Sequence, residues 1–190
     1  MEIIVVAGYK FHVVKDEMRD YPENIILVEN KEYLITNNME SCRIGLGMRK
    51  PSGEGCLIVN GDCVYSQDTI YKMYKSDKSC IATDSSTYNE ENMKILITND
   101  RVTAISKTIT ENQGGITSID LYNFTANDLK ILHSIMEKYN QSGNRNKWTE
   151  VAINDLLAIQ EVSVSSLDIA GDKWMEIDNH DDLEKARNLW

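Results

Sequence analysis

A chain of 190 residues that is 42% hydrophobic and 26% charged carries enough apolar surface for one compact core, so a single domain over residues 1–190 is expected. A formal net charge of −10 argues against a surface built to grip nucleic acid, because that affinity comes mainly from Lys and Arg neutralising phosphates. A small phosphorylated ligand is still compatible, since a metal ion and one or two placed lysines offset its charge locally. Cys42, Cys56, Cys63 and Cys80 form no C-x-x-C pair, and three sit in or beside apolar runs, the pattern of reduced thiols in the cytoplasm. His12, His133 and His180 are too scattered to favour zinc. No apolar stretch approaches bilayer length, and the first residues lack the basic flank of a signal peptide, so no membrane partner is expected.

Apolar runs of strand length alternate with helical patterns, which reads as α/β. In chain order, strands are predicted over 3–7, 25–28, 56–59, 79–83, 93–98, 102–106, 116–124, 162–167 and 174–177. Helices are predicted over 39–48, 69–74, 148–159 and 181–189. Another begins at a capping-box-like Thr125 and Asp128, runs through Leu129, Leu132, Ile135, Met136 and Tyr139, and stops before Gly143. The polar stretches 85–92, 111–115 and 141–146 read as loops, and no proline follows Pro51 to punctuate the chain. There is no internal repeat and no low-complexity linker.

Two apolar runs stop at a carboxylate: Leu57-Ile58-Val59-Asn60-Gly61-Asp62, and Trp174-Met175-Glu176-Ile177-Asp178 with Asp181-Asp182-Leu183 behind it. Ligands of open α/β sheets sit beyond the strand ends, so these are the aspartates to test for a divalent cation held against a polyphosphate. Asn60-Gly61 is also a strong hairpin signal with Asp62 at its tip. The helical stretch that begins near Ser66 leaves no room for a long return strand, which turns the preference toward a ligand site. For Asp178 the competing role is a helix cap, which Asn179 or Asp181 could also fill, and capping does not exclude metal binding.

The order of motifs then carries a resemblance. Val5-Val6-Ala7-Gly8-Tyr9-Lys10, Glu29-Asn30, Thr36-Asn37-Asn38-Met39-Glu40-Ser41, Val59-Asn60-Gly61-Asp62, Ala82-Thr83-Asp84, Met93-Lys94-Ile95, Ile105-Ser106-Lys107, Trp148-Thr149-Glu150 and Trp174-Met175-Glu176-Ile177-Asp178 run over almost the whole chain. Together they resemble the nucleotidyltransferases of the sugar-nucleotide pyrophosphorylase superfamily, above all cytidylyltransferases that activate phosphocholine, phosphonates or inositol phosphate. The resemblance implies a Rossmann-like, GT-A-like mixed sheet, mostly parallel, with helices on both faces. It implies that Asp62 and Asp178 ligate Mg²⁺ while a small phosphorylated acceptor attacks CTP or another NTP and pyrophosphate leaves. Lys107 looks like the family lysine that approaches the acceptor phosphate, with a solvated strand-end lysine as the alternative. Asn37 and Ser41 match positions near nucleotide and acceptor, or cap the helix that starts near Met39. Asp84 ends an apolar run on the ligand side, where a turn-forming aspartate is equally at home. Trp148 and Glu150 match acceptor contacts, an aromatic ring beside an acid being suited to an amine, although Trp148 also fits a core position at a helix start.

The chain departs from that family at its opening, which resembles the family's second strand. The Gly-rich loop with its arginine, and the downstream Pro-Lys that hold the nucleotide phosphates, have no counterpart. The expectation is therefore a fragment, a split enzyme or a shortened homologue lacking the first βα unit, whose cradle comes from a second copy or a partner chain. Two alternatives stand beside the transferase: a binding or regulatory homologue that has lost transfer, and a metal-dependent glycosyltransferase of related fold.

Overall fold

The computed structural model describes residues 2–21, 24–50 and 53–190; Pro51 lies outside them. The chain runs β1 (Ile3–Ala7), α1 (Phe11–Glu17), β2 (Ile25–Glu29), α2 (Asn38–Gly47), β3 (Cys56–Val59), β4 (Cys63–Tyr65), α3 (Gln67–Lys75) and β5 (Cys80–Asp84). It continues with β6 (Lys94–Thr98), β7 (Arg101–Ser106), β8 (Ile116–Phe124), α4 (Ala126–Gln141), α5 (Thr149–Leu157), β9 (Ser165–Asp168), β10 (Trp174–Glu176) and α6 (His180–Leu189). Contacts divide it into two compact units, Met1–Gly53 with Lys130–Leu156, and Glu54–Leu129 with Leu157–Trp190.

In the first unit β1 and β2 pair in parallel, Ile3 opposite Ile25 through Ala7 opposite Glu29. The close approach of α2 to β1 leaves little room at Gly45, where a Cβ would stand 3.2 Å from Val6 Cγ2. The sequence gives no sign of α1, because this seven-residue helix buries none of its side chains and so shows no apolar stripe.

The second unit holds a sheet in the order β7-β6-β8-β5-β9, with β3 also on β8. β8 is its spine. β5 lies along one edge, while β3 pairs with Leu121–Phe124 and β6 with Ile116–Thr117. Strands β3, β5, β6 and β9 run one way and β7 and β8 the other, so the sheet is mixed and mostly co-directed. Because β8 lies between co-directed strands, most neighbouring pairs are nevertheless antiparallel. The β6–β7 hairpin turns on Asn99 and Asp100, at φ 52° and 60°, residues whose short polar side chains tolerate the left-handed region a primed turn needs. On one face Met73 of α3 packs against Cys80, Ala82, Ile119, Leu121 and Ile169, all buried. The predicted start of α4 is present: Thr125 Oγ1 accepts from Asp128 N at 3.3 Å, and Ser79 Oγ donates to the Asp128 carboxylate.

Two short elements differ from expectation. The stretch 111–115 is not all loop, since Glu111–Gln113 forms a 3₁₀ turn capped by Thr110. Strand β4 was not predicted; it pairs antiparallel with β10, Cys63 opposite Glu176. The Asn60-Gly61 hairpin does not form, because Gly61 stays out of the left-handed region and the turn, closed by Cys63 N to Asn60 O at 3.4 Å, sends the chain away from β3.

Gly55 is held by contact, since a Cβ there would lie 2.4 Å from Phe124 O across the β3–β8 ladder. Gly55→Ala is expected to cost about 1–3 kcal/mol through overpacking, and Ile81→Ala, at a fully buried position, about 2–5 kcal/mol. Gly61→Ala, which meets no atom within 4 Å, is expected to leave stability level or raise it by up to about 1 kcal/mol. Urea unfolding midpoints read all three.

Candidate active site

The β4–β10 ladder brings the two aspartates of the sequence reading to one end of the second unit. Beyond the pair Cys63–Glu176, Ile177 N donates to Asp62 O at 2.8 Å, so the pairing continues one residue further and Asp178 follows directly. Both aspartates are solvent-exposed. The cap of α6 is Asn179, whose side chain accepts from Asp182 N at 3.0 Å, so Asp178 is not spent on capping.

Two further carboxyl groups stand with them, and sequence reasoning did not assign either a role. Asp120 lies in β8 at φ 57°, where three residues of β8 face one of β5. Its Oδ1 accepts from Tyr122 Oη at 3.0 Å and its Oδ2 from Asn60 Nδ2 at 3.1 Å. Burial pushes its carboxyl above the ordinary 3.8, those two hydrogen bonds pull it down, Asp62 raises it and Lys107 lowers it. Glu176 Oε2 accepts from Asn92 Nδ2 at 2.8 Å. Its carboxyl is raised first by burial and then by Asp120, Asp178 and Asp62, again against Lys107. Lys107, exposed just past β7, is thus a cation of this acidic neighbourhood. An acid inside the apolar run 116–124 was the visible signal for Asp120; nothing in the sequence marks its left-handed backbone.

Asp84 behaves in the opposite way. It is 3% exposed, and Oδ1 accepts from Ser86 N at 2.9 Å and Ser86 Oγ at 2.6 Å. Oδ2 accepts from Trp174 Nε1 at 2.8 Å. Burial alone would raise its carboxyl, but these donors outweigh it and hold the group below its ordinary range. The structure therefore puts Asp84 at the centre of the 84–87 turn and ties that turn to β10. In the same sheet row, Lys94 is 1% exposed and opposite Thr117. Its Nζ donates to Glu90 O at 2.7 Å.

The other four residues of the sequence reading lie in the first unit. Asn37 caps α2, its side chain accepting from Asn38 N at 2.8 Å and donating to Asn146 Oδ1 at 3.3 Å. Ser41 Oγ accepts from Asn30 Nδ2 at 3.1 Å, and the same amide donates to Thr36 Oγ1 at 3.1 Å, which fixes the loop from β2 into α2. Glu150 is 3% exposed, whereas Trp148 is 46% exposed and not a core residue. In the same unit Glu40 is bracketed by Arg43 and Arg145; the Arg43 hydrogen bonds hold its carboxyl down against burial, with Arg145 assisting.

Among the described residues no three His, Cys, Asp or Glu side chains are grouped to hold a metal alone. Exposed carboxylates on neighbouring chain segments are the donor type Mg²⁺ takes, since it commonly uses one or two carboxylates and completes its octahedron with phosphates and water. Among the described residues no helix is long and apolar enough to cross a membrane.

No protein-family profile and no curated protein matches the chain. Solved structures do. The inositol-1-phosphate CTP transferase of T. maritima is similar at 21% identity and TM-score 0.75, over 99% of this chain and 74% of that one. The CTP:phosphocholine cytidylyltransferase of Streptococcus pneumoniae is similar at 17% identity and TM-score 0.72, over 99% and 78%. A UDP-glucose pyrophosphorylase is similar at 12% identity and TM-score 0.70, over 99% and 80%. The fold is accordingly the Rossmann-like one of cytidylyltransferases and sugar-nucleotide pyrophosphorylases, as the order of motifs implied.

The shifted carboxyl groups of the two units make a signed prediction. Asp120, raised on folding, binds more protons folded than unfolded between 3.8 and its native value, so its contribution falls as pH rises through that window. Asp84 and Glu40, both lowered, contribute fully above their ordinary 3.8 and 4.5 and lose that contribution as pH falls through their native values. The melting temperature is expected to rise on acidification from neutral pH and to fall again in stronger acid. Asp120→Asn should flatten the upper limb and leave the acid limb in place.

Proposed function

We infer that this chain is a nucleotidyltransferase, transferring a nucleotidyl group, foremost cytidylyl, from an NTP such as CTP to a small phosphorylated acceptor with release of pyrophosphate. The observation that carries the reading is the meeting of Asp62 and Asp178 at the end of the β4–β10 ladder, on a fold shared with CTP transferases. Asp62 and Asp178 would hold Mg²⁺, which would supply positive charge against the phosphates. An acceptor phosphate oxygen attacks the α-phosphorus, the bond from that phosphorus to the β-phosphate bridge breaks, and pyrophosphate departs. Lys107 draws the acceptor phosphate toward the acidic cluster and balances its charge. Asn37 and Ser41 orient nucleotide and acceptor, Asp84 fixes the 84–87 turn, and Trp148 with Glu150 receives an amine-bearing acceptor. Cys42, Cys56, Cys63 and Cys80 are not joined in disulfides, which agrees with a cytoplasmic setting.

The nucleotide phosphates need backbone N–H donors that this sequence does not supply in a Gly-rich loop, so the reading includes a complementing segment from a partner or a second copy. Among the described residues β1 pairs as a strand only with β2 and β3 only with β8, which leaves each with an edge for such a segment. The same lack of a loop favours the second reading, a homologue that binds acceptor without transfer.

Calorimetric titration with Mg²⁺ and CTP separates these. Asp62→Asn and Asp178→Asn are each expected to weaken cation binding by about tenfold or more while the urea midpoint stays put, both residues being exposed. Unchanged cation and nucleotide affinity in both variants would overturn the cation assignment. Pyrophosphate release over a panel of phosphocholine, phosphonate and sugar phosphates is expected only when the family's opening βα unit is added. Acceptor binding without turnover under that condition supports the binding homologue.

A further inference from the structure

Asp120 takes a left-handed φ of 57° in the middle of a nine-residue strand. Side-chain-bearing residues rarely adopt that backbone, and glycine adopts it without penalty, so what an aspartate does there must come from its side chain. That side chain and its own carbonyl converge on one residue. Asn60 N donates to Asp120 O at 3.4 Å, and Asn60 Nδ2 donates to Asp120 Oδ2 at 3.1 Å, while Tyr122 Oη braces the other carboxylate oxygen at 3.0 Å. Asn60 O in turn accepts from Cys63 N at 3.4 Å and closes the turn that contains Gly61 and Asp62. A Cβ at Gly61 would meet nothing within 4 Å, so packing does little to hold this turn and hydrogen bonds must.

We propose that Asp120 is a positioning residue, clamping Asn60 through main chain and side chain so that the Gly61-Asp62 turn presents its carboxylate to the cation. This rests on the reading of Asp62 as a cation ligand. Partners that orient a metal ligand typically carry a ten- to hundredfold effect on metal affinity. Asp120 also brings negative charge to the neighbourhood, and Asn60→Ala separates the two effects, because it breaks the clamp and leaves every carboxylate in place.

The test measures Mn²⁺ affinity of the full chain by electron paramagnetic resonance, amide exchange over residues 60–63, and melting temperature. Asp120→Gly is expected to keep or raise the melting temperature, since glycine suits this φ, while weakening Mn²⁺ about tenfold and quickening exchange at Gly61 and Asp62. A role confined to stability would lower the melting temperature instead. Asn60→Ala should match the Mn²⁺ loss, and the double variant should add little to either, as a shared interaction requires. Unchanged Mn²⁺ affinity in Asn60→Ala beside a loss in Asp120→Gly means that charge, not positioning, is at work, and overturns the proposal. Unchanged affinity in both, with binding abolished by Asp62→Asn, also overturns it and leaves the cation reading standing. If Asp62→Asn or the parent chain shows that Asp62 binds no Mn²⁺, the cation reading fails and the proposal falls with it.

Discussion

The second unit is organised by one strand and by the place where that strand breaks register. β8 accepts β5 along one edge and shares the other between β3 at its end and β6 at its start. The changeover falls between Ser118, whose N–H donates to Met93 O at 2.8 Å, and Asp120, whose carbonyl accepts from Asn60 N. At that point β3 must leave the sheet and β6 has only begun. β3 keeps register with β8 up to Val59 opposite Leu121, while on the other side of β8 three residues face one of β5 around Asp120. The chain turns out at Asn60, and what turns out is the loop bearing Asp62.

Charge at this exit follows from donor supply rather than residue type. Asp84 is nearly inaccessible yet sits below its ordinary range, because Ser86 and Trp174 donate to it. Asp120 is less buried by surface yet raised, because two donors do not offset desolvation in the company of Asp62. Glu176 has one neutral donor in Asn92 and three carboxylates around it. In a chain with a net charge of −10, such a cluster is under repulsion at neutral pH unless a cation answers it, and Lys107 is one charge against four. That imbalance is the electrostatic support for the divalent ion we propose there.

Much of this could be read from the residues. The run Ile116–Phe124 was legible as one strand because it is a β-prone run of strand length, and Asp62 and Asp178 stood out because each ends an apolar run. The cap at Thr125 and Asp128 had a local signature. Strand β4 and helix α1 did not, being a three-residue strand paired only with distant β10 and a helix that buries no residue. Asp120 was visible as an acid but not assignable, because a polar residue in an apolar strand can point to solvent, and its partner Asn60 is set by the distant β3–β8 register. The choice among Asp178, Asn179 and Asp181 as cap was likewise settled by backbone geometry that composition does not encode.

Two open sheet edges bear on the remaining need of the proposed chemistry. β1 is Ile-Ile-Val-Val-Ala and β3 Cys-Leu-Ile-Val, and among the described residues each is paired as a strand on one side. Apolar strands of this kind are ordinarily interior to a sheet, because an open edge presents unsatisfied N–H and C=O groups and invites pairing with other chains. Exposed Lys, Pro or a bulge would blunt such an edge, and neither run contains one. A triphosphate, for its part, asks for a row of backbone N–H donors at a strand–helix turn. A strand followed by such a turn would satisfy both demands, giving its strand to an open edge and its turn to the phosphates, which is why complementation fits this fold better than a rearrangement of residues already committed to caps and turns.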